Sequence, residues 1–208
     1  MRKNKYLPEG YKKPTPEEAK DYIAQNYSPN PLVGDIKENT ILRLFSESPE
    51  NNDINTILVK CATLNSLAST NIIDVFYVAE HIRTLKIDDR LKQGDIKLVD
   101  DIGKKIKVGN TTRSHYSFAS KYCSYHQPDK YSIYDRYVAL VLTELQKRDS
   151  FGDFKRADDL KNYAGYMKAL EDFRNHYGFP EKEFSKKDLD KYLWLLGKEW
   201  VREFDKEK

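Results

Sequence analysis

Residues 104–135 hold most of the side chains in this 208-residue chain whose types and spacing suit chemistry. Asp135 follows a Tyr-Ser-Ile-Tyr segment and stands where a new helix is expected to begin. A carboxylate there is kept ionised by free amide donors and the positive end of the helix dipole. The same position suits a plain N-cap, and both roles are compatible. Lys121 could act as a Schiff-base nucleophile if burial or a neighbouring cation depressed its pKa; a solvent- or phosphate-facing lysine is the commoner alternative. Upstream, Lys104, Lys105, Lys107 and Arg113 could neutralise phosphates, with Asn110, Thr111 and Thr112 as hydrogen-bond donors. A solvated surface loop would have much the same composition. Cys123, His126 and His115 offer three possible metal ligands, but no second CxxC or HxxxH element accompanies them, so no metal site is expected.

These residues need helices to position them. Thr15-Pro16-Glu17-Glu18 is a helix start, with Thr15 as cap and Pro16 in the first turn, which leaves residues 1–14 as an extended arm. A second helix is expected from Asp35 to about Ser46. A third begins at Asn52 or Asp53 and carries Ile54, Ile57, Leu58, Cys61, Leu64 and Ala68 at helical spacing. Ile72, Val75, Phe76, Ala79 and Ile82 mark the next, and Asp88-Asp89 starts a short one ending before Gly94. Ile96, Val99, Ile102 and Ile106 then share one face. The pattern lapses into a loop over 107–113 and returns from Ser114 to His126, where Pro128 stops it. Val138, Val141, Leu142 and Leu145 define the helix after Asp135. Residues 158–177 form one long helix or two broken ones, and a final helix capped by Ser185 turns Leu189, Tyr192, Leu193, Leu196 and Trp200 inward. Alternating strand patterns are missing, and the fold class is all-α. The expected organisation is one helical domain over 15–208, in two lobes.

Composition narrows the partners. Net charge is only +3, but residues 102–126 carry five Lys/Arg and no Asp or Glu, whereas 28–80 carry three against seven. The basic stretch fits a phosphate footprint. Cys61 and Cys123 make no disulfide framework, which fits a reducing cytoplasm. No apolar run reaches membrane-spanning length. There is no P-loop or Gly-rich dinucleotide turn, and no cofactor is expected.

The blocks LVKCATLNSLASTNI (58–72), SFASKYCSYHQPDKYSIYDRYV (117–138) and LDKYLWLLGKEW (189–200) carry a likeness. Over roughly residues 50–203 the chain resembles the helix-hairpin-helix DNA glycosylase superfamily, nearest its bacterial 8-oxoguanine glycosylase-like branch. The resemblance implies a two-lobed helical protein, a monomer, that docks duplex DNA at a hairpin and extrudes a damaged or modified base for excision. The resemblance thus implies a hydrolase of base excision repair. Asp135 falls where such enzymes keep their essential aspartate, while Tyr125, His126, Tyr134 and Trp194 would meet the extruded base. Core packing is the commoner use of Tyr and Trp at helical spacing.

Two departures accompany the likeness. The Leu-Pro-Gly-x-Gly hairpin is replaced by Arg113-Ser114-His115-Tyr116, and the position of the lyase lysine holds Ser117, with Lys121 one turn later. The expected reaction is therefore monofunctional, with water as the nucleophile. A non-catalytic DNA-binding or interaction module on the same scaffold is the alternative, and a role in phage defence a third reading.

Overall fold

The computed structural model describes residues 6–26, 31–104, 106–108 and 111–206; for 31–35, 106–108 and 111 it describes the backbone. In chain order the elements are α1 (Pro16–Asn26), α2 (Pro31–Glu47), α3 (Ile54–Leu67), α4 (Val75–Leu85), α5 (Asp88–Gln93) and α6 (Lys97–Ile102). Strands β1 (Ile106–Val108) and β2 (Thr111–Arg113) follow, then α7 (Tyr116–His126), α8 (Arg136–Asp149), a 3-10 turn (Ala157–Leu160), α9 (Tyr163–Tyr177) and α10 (Lys186–Lys206). The fold is all-α with one short hairpin. It divides into a unit spanning Asn30–Ile133 and a unit formed by Met1–Pro29 with Tyr134–Lys208. These are called here the inner and the outer unit, from their places in the chain.

The inner unit holds α2 to α7. Asp53 starts α3 by accepting the Thr56 amide at 2.8 Å, and Ile57, Cys61 and Leu64 bury one face. Asn65 then organises the exit, receiving the Ile72 amide at 2.8 Å and donating to the Ile72 carbonyl at 3.0 Å. Asp74 caps α4 through the Phe76 amide. Asp88 was expected to start α5 as a cap; it lies in the first turn, where it binds Asn51, and Ile87 occupies the cap position. Arg90 joins α5 to α6 through Asp95 at 2.8 Å and Asp101 at 2.7 Å.

Two expectations fail between α6 and α7. Ile106 does not extend the apolar face of α6, because the helix ends at Ile102 and Ile106 opens β1. Gly103 explains the stop: a Cβ there would lie 3.0 Å from the Tyr116 Cα, and its carbonyl receives both the His115 amide and the Ser114 hydroxyl. The loop expected over 107–113 contains paired strands, with Ile106 opposite Arg113, Lys107 opposite Thr112 and Val108 opposite Thr111. Three residues per strand are too few to show an alternating pattern, although their β-branched content favours pairing.

The outer unit is built on α8 and α10. Ser185 and Asp188 exchange backbone and side-chain hydrogen bonds at the start of α10, and Leu189, Tyr192, Leu193, Leu196 and Trp200 are buried, as their spacing predicts. The arm preceding α1 has no helix over 6–14 and packs through Tyr11, whose ring meets Trp200 edge-on at 5.0 Å and whose hydroxyl lies 3.3 Å from that of Tyr192. The segment 158–177 resolves into the 3-10 turn and α9, which Asn162 caps at the Gly165 amide.

Gly197 sets the spacing between α8 and α10. A Cβ at this position would stand 2.5 Å from the Tyr137 carbonyl oxygen, a distance real Cβ atoms do not reach. Gly197→Ala must push the two helices apart, with an expected loss of about 1–3 kcal/mol in urea unfolding. Unchanged stability would refute this account of the contact.

Candidate functional site

The candidate residues fall in both units. In the outer unit, Asp135 is half-buried and extended (φ −135°, ψ 150°), and its Oδ1 accepts the Tyr137 amide at 2.9 Å. It is the N-cap of the 14-residue helix α8. Tyr134 beside it is buried edge-on against Tyr166 with ring centroids 5.2 Å apart, and burial raises its hydroxyl pKa. Trp194 is half-buried, with the Lys198 ammonium 4.2 Å from its ring.

In the inner unit, Lys104 is exposed and paired with Asp101 at 2.6 Å, which reduces its freedom to meet a phosphate. Thr112 and Arg113 are exposed on β2. Lys107 and Thr111 are placed by the strand register alone. Lys105 and Asn110 lie outside the described residues. The Lys121 ammonium donates at 2.8 Å to the carbonyl of Ala68, the C-cap residue of α3, and so ties α7 to α3. Tyr125 packs against Phe45 at 5.8 Å, and burial raises its hydroxyl to about 12. His126 meets Phe45 edge-on at 4.7 Å and lies 5.1 Å from Tyr122. Cys61 and Cys123 are buried thiols, both pushed upward by burial, and His115 is buried at the start of α7. Among the described residues no cluster of three or more His, Cys, Asp or Glu could hold a metal ion.

Tyr125 and His126 lead to a group of residues that sequence reasoning missed. Lys60 has no exposed surface. Its ammonium donates to the Glu50 carbonyl at 2.9 Å and to Asn51 Oδ1 at 3.2 Å, and it faces His126 Nε2 at 3.5 Å, long for a hydrogen bond. Asn51 Oδ1 also receives the Tyr122 hydroxyl at 2.5 Å, while Asn51 Nδ2 and the Asn51 amide donate to Asp88 at 2.6 and 3.0 Å. One side-chain amide thus stands between a buried cation and a carboxylate, its oxygen toward the first and its nitrogen toward the second.

The electrostatic consequences are large. Burial pulls the Lys60 ammonium down to about 8, against the opposing charge of Asp88. Burial, and then the charge of Lys60, holds His126 down to about 3. The imidazole is therefore neutral at neutral pH and presents a lone pair to the ammonium. A signal existed in the sequence: Lys60 occupies the face of α3 defined by Ile57, Cys61 and Leu64. A lysine in that stripe ordinarily reads as a stem with its charge in water.

An all-α protein with a buried lysine network in its inner unit is the class these features define. The chain belongs to the HI_0787_N N-terminal domain family, whose model matches residues 19–130, more than half of its length. It is also 48% identical over 136 residues to an uncharacterized protein of Haemophilus influenzae, covering 65% of this chain and 63% of that protein. The chain thus spans less than two thirds of the length of this relative. No solved structure matches. The family segment contains every member of the Lys60 network and ends before Asp135. Among the described residues no helix is long and apolar enough to cross a membrane.

The depressed Lys60 value fixes the sign of a pH effect. The unfolded chain binds this proton up to about pH 10.5 and the folded chain only to about 8, so the group adds stability as pH rises between those values. The shift corresponds to about 3 kcal/mol. His126 acts in a lower window: its contribution is complete above about 6.5 and is lost as pH falls toward 3. Urea unfolding of Lys60→Met and the natural chain at pH 7 to 10 should therefore diverge, the variant lacking the alkaline gain. Parallel profiles would contradict the assignment.

Proposed function

We propose that this chain is a DNA glycosylase-like protein of the helix-hairpin-helix type, which binds duplex DNA, extrudes a modified base and hydrolyses its N-glycosidic bond. The observation that carries the reading is the order of elements around one carboxylate. Helix α6, a hairpin bearing Lys107 and Arg113, and helix α7 precede Asp135, which starts α8.

In this mechanism the bond from sugar carbon to base nitrogen breaks with its electron pair leaving on the base, and positive charge grows on the sugar. The Asp135 carboxylate stabilises that charge and orients water, which supplies the new bond to carbon and gives up a proton that ends on the departing base. The Tyr137 amide donates to the carboxylate at 2.9 Å and so fixes its place at the start of α8. Arg113 and Thr112, exposed on β2, would meet backbone phosphates.

A second reading, DNA binding without base release, is favoured by the hairpin residues Arg113-Ser114-His115-Tyr116, which lack the two glycines the resemblance expects. Lys121 spends its ammonium on the Ala68 carbonyl, which supports a tie between helices in place of a covalent role. Duplexes carrying 8-oxoguanine, uracil or alkylated bases separate the two readings when released base is measured by chromatography. The glycosylase reading expects release from at least one duplex and a loss of about 100-fold or more in Asp135→Asn. Release that persists in the variant overturns it, and salt-sensitive binding without release leaves the second reading standing.

A further inference from the structure

The outer unit contains an open cavity of about 1270 Å³ that none of the preceding chemistry uses. Leu140, Ala157 and Val201 contribute apolar surface to it, and the rings of Tyr6 and Tyr137 line it beside them. Four cations, Arg136, Lys147, Lys155 and Arg156, share the lining with three carboxylates, Glu144, Asp159 and Asp205.

Those carboxylates have partners of their own. Glu144 is buried and bound by Lys147 at 2.5 Å, and it also accepts the Tyr6 amide at 3.4 Å. Asp159 accepts the backbone amides of Lys155 and Arg156 at 2.9 and 3.0 Å, with the Arg156 guanidinium at a looser 3.5 Å. Asp205 is exposed. Among the described residues, Arg136 and Lys155 are in no ion pair. Arg136 is also oriented: it donates to the Tyr137 hydroxyl at 2.9 Å, and its guanidinium lies 4.7 Å from the Tyr137 ring centre. A planar cation held this way keeps further donors for a phosphate, which its fork geometry suits.

We propose that this cavity is a nucleotide-binding groove, in which Arg136 and Lys155 hold phosphate while Tyr6 and Tyr137 receive the base, and that its occupant is a single nucleic-acid strand. The combination of flat aromatic rings, apolar surface and unpaired cations matches a base joined to an anion. The volume exceeds the roughly 300–1,000 Å³ usual for a small-ligand pocket, which favours several nucleotides over one. The groove lies in the outer unit, apart in the chain from the hairpin assigned to duplex DNA, and it does not rest on catalysis by Asp135.

Fluorescence anisotropy with a fluorescein-labelled oligothymidylate tests the proposal on the full chain. Saturable binding is expected, weakened about tenfold or more by the double variant Arg136→Gln/Lys155→Gln and by added salt. Lys168→Gln removes one charge from α9 outside the cavity lining and should bind as the natural chain does. Exposed Arg136 and Lys155 allow the variant to fold, and an unchanged circular dichroism melt verifies that it has. Displacement by dTMP supports the same chemistry with a free nucleotide, and failure of dTMP to displace supports the strand alone. Binding unaffected by the double substitution, absence of binding, or equal competition by polyglutamate overturns the proposal. Asp135→Asn should retain this binding, so loss of base release and loss of the groove are separate results.

Discussion

A protonated amine with no exposed surface is the constraint around which the inner unit is arranged. An ammonium removed from water needs acceptors for its donors, and the chain supplies them from three places: the Glu50 carbonyl, Asn51 and His126. Only neutral acceptors touch it, while the negative charge of Asp88 faces the other side of the Asn51 amide. This draws the segment before α3, the start of α5 and the end of α7 toward one point. It also explains why His126 must be neutral, since a second cation at 3.5 Å would leave the first without its third acceptor. Such a network orients the pieces it joins more than it adds net stability, because the desolvation of the charge offsets much of the attraction.

The family segment ends close in the chain to the division between the two units. Residues 19–130 take in the Lys60 network and stop before Asp135. The candidate carboxylate belongs to the other unit, where it caps α8 and is followed by the arginine that lines the outer groove. The 65% of the chain aligned with the Haemophilus influenzae protein makes this a relationship of sequence, and it assigns no chemistry.

Much of the fold was legible because its signals are local. Asp53, Asp135 and Ser185 sit at helix starts, and the apolar spacing of α3, α8 and α10 matches what is buried. The hairpin was not legible, since paired strands of three residues carry too little period and Gly103 gave no sign that it would meet Tyr116. Asp135 was found because a carboxylate at a helix start is visible along the chain. Lys60 was passed over because its partners lie at 50, 51 and 126, and only folding brings the last of these beside the first two. The outer groove was hidden for the same reason, as it gathers Tyr6, Arg136, Lys155 and Val201 from four separate stretches.

The central claim is that Lys60 is a desolvated, hydrogen-bonded ammonium whose proton leaves far earlier than that of a lysine in water. Following the Lys60 Cε resonance by carbon NMR as pH rises, with Lys60→Met for assignment, measures this on the folded chain. The account predicts a titration centred near pH 8. A midpoint near the ordinary lysine value of about 10.4 would place the amine in water and contradict the network described above.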